Sequence, residues 1–272
     1  MNKENYFISL FKTQHIGDDA ALIHGMTYSK DAFFENVHFK TAWMSYEQIA
    51  RKAMLVNLSD AIAMHAKPLY ALLSVAMPKG MTKNDMQALA KGFLDVAEEY
   101  GVQIIGGDTI SNTKLDITIT IIAQTKKPLF RRGLRAKSLL AYTGVLGKSQ
   151  KDLQKLLNGG RVHRKSKFVA IELREQFISQ TARILQAGMD ISDGLLSDLD
   201  KMASTNRVGF DFVQPVPKNI GCSGEEYEML VGFDKRNKKA VMRRAEQSRT
   251  KITIFAHVAR NKYKNRCQAH HF

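Results

Sequence analysis

The sequence predicts a two-lobed α+β (α/β) fold in which strands and helices alternate along both halves of the chain. Three observations support it: apolar residues with helical spacing, β-branched runs of strand length, and a basic segment at 126–137 without any acidic residue. Such alternation is typical of proteins whose helices cover a sheet. The 272 residues suffice for two domains. We therefore predict lobes at 1–130 and 131–272, with the basic segment at their junction.

Two long helices are predicted in the first half. Ser45 and Gln48 have the spacing of a capping box, in which two side chains satisfy free backbone N–H groups of a first turn. Apolar residues then recur with helical spacing as far as Ala63. The second helix is predicted at 82–100, because its apolar residues fall on one side.

Strand signals surround these helices. The apolar run at 69–77 is followed by Pro78 and Gly80, and the run at 115–124 alternates and is rich in β-branched residues. A short strand at 102–105 is predicted to end at the glycine pair that follows it. The alternation therefore continues through the whole first lobe.

The second half has fewer but similar signals. We predict a strand at 138–143 and helices at 168–185 and 194–204. The last helix is amphipathic and follows a glycine that comes directly after an aspartate. This lobe is therefore expected to combine helices with strands as well.

The chain carries a large excess of positive charge. It has 41 Lys and Arg against 26 Asp and Glu, a formal net charge of +15. Twelve basic residues and one acidic residue lie between Lys235 and the last residue. This favours an anionic partner such as a nucleotide, a nucleic acid or a membrane surface. The chain shows no helix-turn-helix, RNA-recognition or zinc-finger signature, which argues against nucleic-acid binding.

Other features favour a cytoplasmic protein. Cys222 and Cys267 are too few for a disulfide framework, and no Cys/His cluster has zinc-site spacing. The sequence has no apolar run of 18 residues and no signal-peptide pattern. We therefore expect a soluble cytoplasmic protein that does not enter a membrane.

Aspartates beside apolar residues are the most informative feature. They occur in four segments, at 17–21, 57–60, 106–109 and 189–194. A buried carboxylate is costly unless a positive charge compensates it. Mg²⁺ prefers a few carboxylates together with waters and substrate phosphates. The set therefore indicates Mg²⁺ and a polyphosphate, although each segment alone is also typical of an ordinary turn or cap.

The segment at 189–194 carries the strongest single signal. Asp190 and Asp193 are separated by Ile-Ser and followed by Gly194 and the predicted helix. Ser192 and Asp193 thus lie at a helix N-terminus, where free N–H groups can bind phosphate. The same positions are also typical of a plain N-cap.

Together these segments resemble the thiamine-monophosphate kinase family, a branch of the superfamily that includes aminoimidazole ribonucleotide synthetase and selenophosphate synthetase. Eight segments occur in the family's order. They are GDDAAL (17–22), SKDAFFENVHF (29–39), KAMLVNLSDAIAM (52–64), GGDT (106–109), the arginine region (131–133), YTGVLGKS (142–149), MDISDGL (189–195) and GEEYEML (224–230).

The resemblance implies an aminoimidazole ribonucleotide synthetase-like fold. Its N-terminal lobe, with a mixed sheet, would bind ATP and Mg²⁺ and form a homodimer, and its C-terminal lobe would be α/β. The implied reaction is transfer of the γ-phosphoryl group of ATP to thiamine monophosphate, with several Mg²⁺ ions. The acceptor phosphate is itself the nucleophile, so we expect no dedicated catalytic base. Positioning by Asp60, Asp108 and Arg131 would carry the reaction.

Carried over by position, the resemblance implies three groups of site residues. The metal ligands would be Asp19, Ser29, Asp31, Asp60, Asp108, Asp190 and Asp193. The residues in contact with ATP would be Gly107, Asp108, Arg131 and Ser192. Those facing thiamine monophosphate would be His38, Glu225 and Phe272. Lys30 stands where the family has threonine, which departs from the pattern.

Two alternatives remain open at this point. Another ATP-dependent synthetase of the superfamily would share the aspartates. A protein of a different class, which binds nucleic acid or an anionic surface, would use the positive charge. A P-loop is excluded, because the segment ending in Gly147-Lys148-Ser149 has Tyr142 where the first glycine is required.

Overall fold

The computed structural model describes residues 3–268, whose strands form two five-stranded sheets. The first sheet has the order β1-β2-β5-β3-β4. Its strands are β1 (Ala21–Ile23), β2 (Met26–Phe34), β3 (Lys67–Pro78), β4 (Gln103–Asn112) and β5 (Asp116–Gln124). β3 and β4 are parallel and the other neighbours antiparallel, so the predicted mixed sheet is confirmed.

The two predicted helices of the first half are confirmed. The first helix is the short α1 (Lys3–Ser9). The next helix, α2 (Tyr46–Ala63), begins at the predicted capping box. The Ser45 hydroxyl accepts a hydrogen bond from the Gln48 N–H, and the Gln48 side chain accepts one from the Ser45 N–H. α3 (Lys83–Tyr100) has an equivalent box between Thr82 and Asp85. Local capping thus fixes where both helices start.

α2 is the central element of the molecule. It is buried along most of its length, and it packs on α3 and β5 of the first lobe as well as on elements of the second lobe. Because it has no broad solvent face, Lys52, Asn57 and Ser59 are buried with its apolar residues. These polar groups therefore require partners inside the protein.

The second sheet has the order β7-β9-β6-β10-β8, with all neighbours antiparallel. Its strands are β6 (Leu139–Thr143), β7 (Leu185–Asp190), β8 (Gly209–Phe212), β9 (Met229–Phe233) and β10 (Ile252–Ala259). The helices of this half are α4 (Lys148–Leu157), α5 (Glu175–Thr181), α6 (Leu195–Asn206), α7 (Lys218–Gly221), a 3₁₀ turn (Lys235–Asn237) and α8 (Lys238–Gln247). The α+β class is therefore confirmed.

Two element predictions are wrong. β4 continues through the glycine pair to Asn112, because Gly107 stays in register with β3 and a Cβ there would lie 1.6 Å from the Leu73 carbonyl oxygen. The predicted helix at 168–185 is reduced to α5 and followed by β7. Phe168 and Val169 instead pack into the core of the first lobe, so tertiary packing overrides the local helical pattern.

The C-terminal segment is attached to α6. Tyr263 donates a hydrogen bond to the Leu196 carbonyl oxygen at 2.9 Å. Cys222 and Cys267 form a disulfide in the same region, although two cysteines are too few for a framework. Within residues 3–268, no helix has the length and apolar character needed to cross a membrane.

The contact between α2 and α3 depends on Gly92. A Cβ at this position would lie 2.3 Å from the Glu47 carbonyl oxygen. In an open helix, alanine would be favoured over glycine by about 1 kcal/mol. We expect Gly92→Ala to lower the free energy of unfolding by about 1–3 kcal/mol instead, because the helices must separate. Denaturant unfolding measures the change.

Gly80→Ala is the control for this substitution. No atom lies within 4 Å of a methyl group added at Gly80. We expect its free energy of unfolding to change by no more than about 0.5 kcal/mol. Equal stability of both variants would contradict the close helix packing.

Candidate metal and phosphate site

A pocket of about 690 Å³ lies between the lobes. It is strongly acidic, although the whole chain is basic. Its carboxylates are Asp18, Asp19, Asp31, Asp60, Asp190, Asp193 and Glu225, and its Lys and Arg residues are Lys30, Arg131 and Lys201. Ser29, His38 and Ser192 also line it. The structure thus brings most of the sequence-predicted site residues into one cavity.

Three carboxylates form the centre of the pocket. Asp19, Asp60 and Asp190 each offer an oxygen, and these oxygens lie within 4.8 Å of one another. Asp19 precedes β1, Asp60 lies in the last turns of α2, and Asp190 ends β7. The cluster therefore forms only when both lobes pack on α2.

The pKa values of these carboxyls are raised. Burial is the main cause, and the charges of neighbouring aspartates add to it. The pKa of Asp190 is raised to about 7, that of Asp31 to about 6, and that of Asp60 well above the ordinary value. When folding raises the pKa of a carboxyl, the folded protein becomes less stable as the pH rises through that pKa, because the group must ionise inside the protein. Without a counter-charge, the cluster therefore opposes folding at neutral pH.

The donor set fits a divalent metal such as Mg²⁺. Among the described residues, Asp19 Oδ2 and Ser29 Oγ are buried and have no hydrogen-bond partner. An unsatisfied buried oxygen is costly, so native structures usually provide a partner for it. Carboxylate and hydroxyl oxygens are ligands of hard cations. A bound cation would satisfy both atoms and compensate the carboxylate charges.

Hydrogen bonds from a surrounding layer fix the carboxylates. Ser59 Oγ donates to Asp190 Oδ2 at 2.7 Å. The Arg131 guanidinium donates to Asp19 Oδ1, with its Nε at 2.9 Å. Ser59 precedes Asp60 on α2, so the same helix supplies one carboxylate and orients another. Such support holds ligands in place before a metal binds.

Asp193 differs from the other aspartates because it is paired with a lysine. Lys201 Nζ lies 2.6 Å from Asp193 Oδ2 and 2.8 Å from an oxygen of the buried Asp198. A cation bound at Asp193 would have to displace this ammonium group. Lys201 and Asp198 were not predicted as site residues, although their i,i+3 spacing on α6 is a usable signal.

The start of α6 suits an anion. Its N-cap is Gly194, and no side chain caps it. The predicted alternative of an N-cap by Ser192 or Asp193 is therefore wrong. Ser192 lines the pocket, and backbone N–H groups at a helix start attract phosphate.

Asp108 and Gly107 do not line this pocket. Asp108 is exposed on β4 and pairs with Ser74 of β3, on the sheet face opposite α2. Asp31 pairs with the buried Ile119 and belongs to the other face. Three strand spacings, roughly 14 Å, also separate β4 from β2. Asp108 therefore lies apart from the cluster of its own chain.

The part of the pocket predicted to face thiamine monophosphate contains Glu225, which contacts a buried lysine. Lys52 Nζ lies 2.7 Å from Glu225 Oε2 and 3.7 Å from the ring centroid of Phe168. Glu225 and Tyr227 both have left-handed backbones, with φ of 55° and 48°. Such strain concentrates at functional sites. Lys52 was not predicted, although a lysine on the apolar face of a predicted helix is unusual.

His38 belongs to the same region of the pocket. Its Nδ1 accepts a hydrogen bond from the Phe34 N–H at 3.0 Å, so Nε2 carries the proton of the neutral ring. The ring stacks on Phe33. The predicted substrate residue Phe272 lies outside the described residues.

The start of α4 is already occupied, which explains why the segment resembling a P-loop does not act as one. Glu226 Oε1 accepts hydrogen bonds from Gly147 N–H at 2.7 Å and Ser149 N–H at 3.3 Å. Ser223 Oγ donates to the same oxygen. A buried carboxylate therefore takes the place that a phosphate has in a P-loop.

Comparison with known proteins identifies relatives. Residues 17–125 match the family model of AIR synthase related protein, N-terminal domain. The chain is 33% identical over 216 residues to thiamine-monophosphate kinase of Bacillus subtilis. The aligned region covers 73% of this chain and 66% of that protein. The chain is 30% identical over 275 residues to thiamine-monophosphate kinase of Buchnera aphidicola subsp. Schizaphis graminum, covering 89% and 84%.

A solved structure supports the fold. AaThiL complexed with AMPPCP and TMP superimposes with a TM-score of 0.84 at 22% identity, covering 96% of this chain and 90% of that one. At this identity the likeness concerns the fold alone. The two-lobed architecture is therefore shared over almost the whole chain.

Repulsion among the clustered carboxylates predicts that removing one of their charges stabilises the metal-free protein. Asp60→Asn removes one half-buried charge that Asp31, Asp190 and Asp19 repel. We expect the metal-free variant at pH 8 to be more stable than the unmodified protein by roughly 1–3 kcal/mol, and to lose its stabilisation by Mg²⁺. Thermal unfolding with and without Mg²⁺ measures both effects.

Asp95→Asn is the control for this variant. Asp95 lies on α3, outside the acidic pocket, and forms ion pairs with Lys91 and Arg51 at the protein surface. We expect its free energy of unfolding to change by no more than about 0.5 kcal/mol and its stabilisation by Mg²⁺ to stay the same. If Asp60→Asn destabilises the metal-free protein, the repulsion argument is wrong.

The Lys52–Glu225 pair can be tested by a double-mutant cycle. Lys52→Met leaves Glu225 without its cation, and Glu225→Gln leaves a buried ammonium unpaired. We expect each single variant to be destabilised and the double variant to recover about 1–3 kcal/mol of the summed loss. Denaturant unfolding measures the four proteins. Additive losses would show that the two groups do not interact.

Proposed function

The chain belongs to the thiamine-monophosphate kinase family, and we propose that it transfers the γ-phosphoryl group of ATP to thiamine monophosphate, giving ADP and thiamine diphosphate. The observation that carries this proposal is the cluster of Asp19, Asp60 and Asp190, with oxygens within 4.8 Å of one another. The Bacillus and Buchnera relatives bear the name of this kinase. AaThiL, which shares the fold, was solved with AMPPCP and TMP.

The first group of residues would hold Mg²⁺. They are Asp19, Ser29, Asp31, Asp60 and Asp190, which line one cavity and include the two unsatisfied oxygens. When bound, the metal supplies the positive charge that allows two phosphate groups to approach each other. Asp31, Asp60 and Asp190 form no ion pair with any described Lys or Arg, so they remain available for this task.

Protein groups would orient the donor. Arg131 remains charged, because its contact with Asp19 raises the pKa of the guanidinium despite burial. We expect it to contact the phosphates of ATP as well, together with Ser192 and the uncapped start of α6. These groups hold the γ-phosphoryl group in one orientation, which is the main requirement of phosphoryl transfer.

The acceptor needs no general base. An oxygen of the thiamine monophosphate phosphate, already ionised near neutral pH, forms a bond to the γ-phosphorus of ATP. The bond between that phosphorus and the β,γ-bridging oxygen breaks, and ADP leaves with the electron pair. Glu225 carries a negative charge suited to the cationic thiazolium and amino group of thiamine. Lys52 fixes the orientation of the Glu225 carboxylate.

We also propose a homodimer formed through the first sheet. The face opposite α2 exposes large apolar side chains, a common mark of an interaction surface. They include Tyr28, Tyr70, Leu72 and Ile110. Asp108 lies on the same face. Pairing of two copies through this face would bring Asp108, with Gly107, to the pocket of the partner.

The direct test is formation of product. Purified protein is incubated with ATP, Mg²⁺ and thiamine monophosphate, and thiamine diphosphate is quantified by chromatography. We expect product only when all three are present. Asp60→Asn should lower kcat at least about 100-fold, and Asp95→Asn should leave it unchanged. No product from folded protein that binds Mg-ATP would reject this acceptor.

The dimer proposal has a test that depends on shared sites. Asp60→Asn and Asp108→Asn are each expected to be inactive. After subunits are mixed and exchanged, half of the dimers would contain one chain of each kind. If Asp108 serves the partner's pocket, each such dimer has one intact site, and activity returns to about a quarter of the unmodified level. No recovery would place Asp108 in its own chain's site, and an active Asp108→Asn protein would place it outside any site.

A further inference from the structure

A second pocket, of about 610 Å³, lies on the other side of α4 from the acidic one. Ser149 and Gln150 of α4 line the acidic pocket, whereas Lys148 and Lys151 line the second. Adjacent positions of one helix thus face different cavities. The second pocket is therefore a separate site that none of the proposed kinase chemistry uses.

This second pocket, the basic pocket, has the opposite charge. Its Lys and Arg residues are Lys148, Lys151, Lys165, Lys167, Arg174, Arg249 and Lys251, and its acidic residues are Asp152, Glu172 and Glu228. The cations come from α4, from the loop before α5 and from the turn before β10. Segments distant in sequence therefore converge to make it basic.

Two of the cations form a fixed floor. Lys167 Nζ lies 2.5 Å from Glu228 Oε1, and Arg174 Nε lies 2.7 Å from Glu228 Oε2. Glu228 is buried, and these cations lower its pKa although burial raises it. Thr143 also donates to this carboxylate at 2.7 Å. The floor is a satisfied network and has no charge left for a ligand.

The other five cations are different. Within residues 3–268 they form no ion pair with any carboxylate, and all five are exposed. They are Lys148, Lys151, Lys165, Arg249 and Lys251. Of the three acidic residues of the basic pocket, Asp152 is the one that forms no ion pair within residues 3–268. Like charges held around one cavity create a local positive potential that attracts anions.

We propose that the basic pocket binds a small anion with two or more phosphate groups and needs no divalent metal to do so. Lys and Arg are the usual protein partners of phosphate oxygens. The volume lies in the range of small-molecule sites. Single-stranded nucleic acid is normally bound along a groove with aromatic stacking platforms. The basic pocket is lined by cations and has no aromatic side chain among its described residues.

The test uses metal-free protein, because the acidic pocket then repels phosphates. Inorganic tripolyphosphate is titrated calorimetrically into protein freed of metal on a chelating resin, and we expect one binding site. Lys151→Glu/Lys165→Glu should weaken binding at least tenfold. Lys238→Glu/Lys239→Glu changes the net charge equally, at exposed residues of α8 outside both pockets, and should leave affinity within twofold. Thermal unfolding confirms that both double variants are folded.

Metal-free ATP distinguishes two sources of the phosphate chain. Affinity equal to that of tripolyphosphate would show that the phosphate chain alone is recognised, and tighter binding would show that the nucleoside adds contacts; either supports the site. Absence of tripolyphosphate binding, or equal weakening in both double variants, overturns it. Binding of a single-stranded oligonucleotide without tripolyphosphate binding would assign the surface to nucleic acid instead. None of these results depends on kinase activity.

Discussion

Mutual repulsion among carboxylates held close together is the constraint on which the rest of the structure depends. Asp19, Asp60 and Asp190 come from three separate segments, and their oxygens are held within 4.8 Å of one another. Only the packing of both lobes on a buried helix keeps them there. The helix supplies Asp60, and its neighbour Ser59 orients Asp190. The repulsion lowers the folding stability of the metal-free protein, and the same arrangement holds the carboxylates ready to bind cations.

Charge is distributed selectively around that cluster. Asp19, Asp193 and Glu225 each have a Lys or Arg partner. Asp31 and Asp60 have none among the described residues. A protein with a net charge of +15 therefore leaves two carboxylates of this pocket without a Lys or Arg partner. The basic pocket behind α4 shows where part of this surplus is concentrated.

Local signals in the sequence predicted the helix starts and most strands, because capping and alternation act between near neighbours. They failed at 168–185, where contacts with the other lobe decide the conformation. Motif order led to the family and to most residues of the acidic pocket. It could not place Asp108, because sheet face and register depend on the assembled strands. It also missed Lys52 and Lys201, whose roles depend on partners that the fold brings close. The alternative of another synthetase gives way to the family match, whereas binding of nucleic acid stays a hypothesis.

The most direct test of the carboxylate cluster is the number of protons released when Mg²⁺ binds. Calorimetric titration at pH 6.5, in buffers with different ionisation enthalpies, measures this number. Because the pKa of Asp190 is raised to about 7 and that of Asp31 to about 6, metal binding must displace protons. We expect release of at least about one proton per chain at pH 6.5, and fewer protons as the pH rises further. Mg²⁺ binding without proton release at pH 6.5, or no binding at all, would contradict the account.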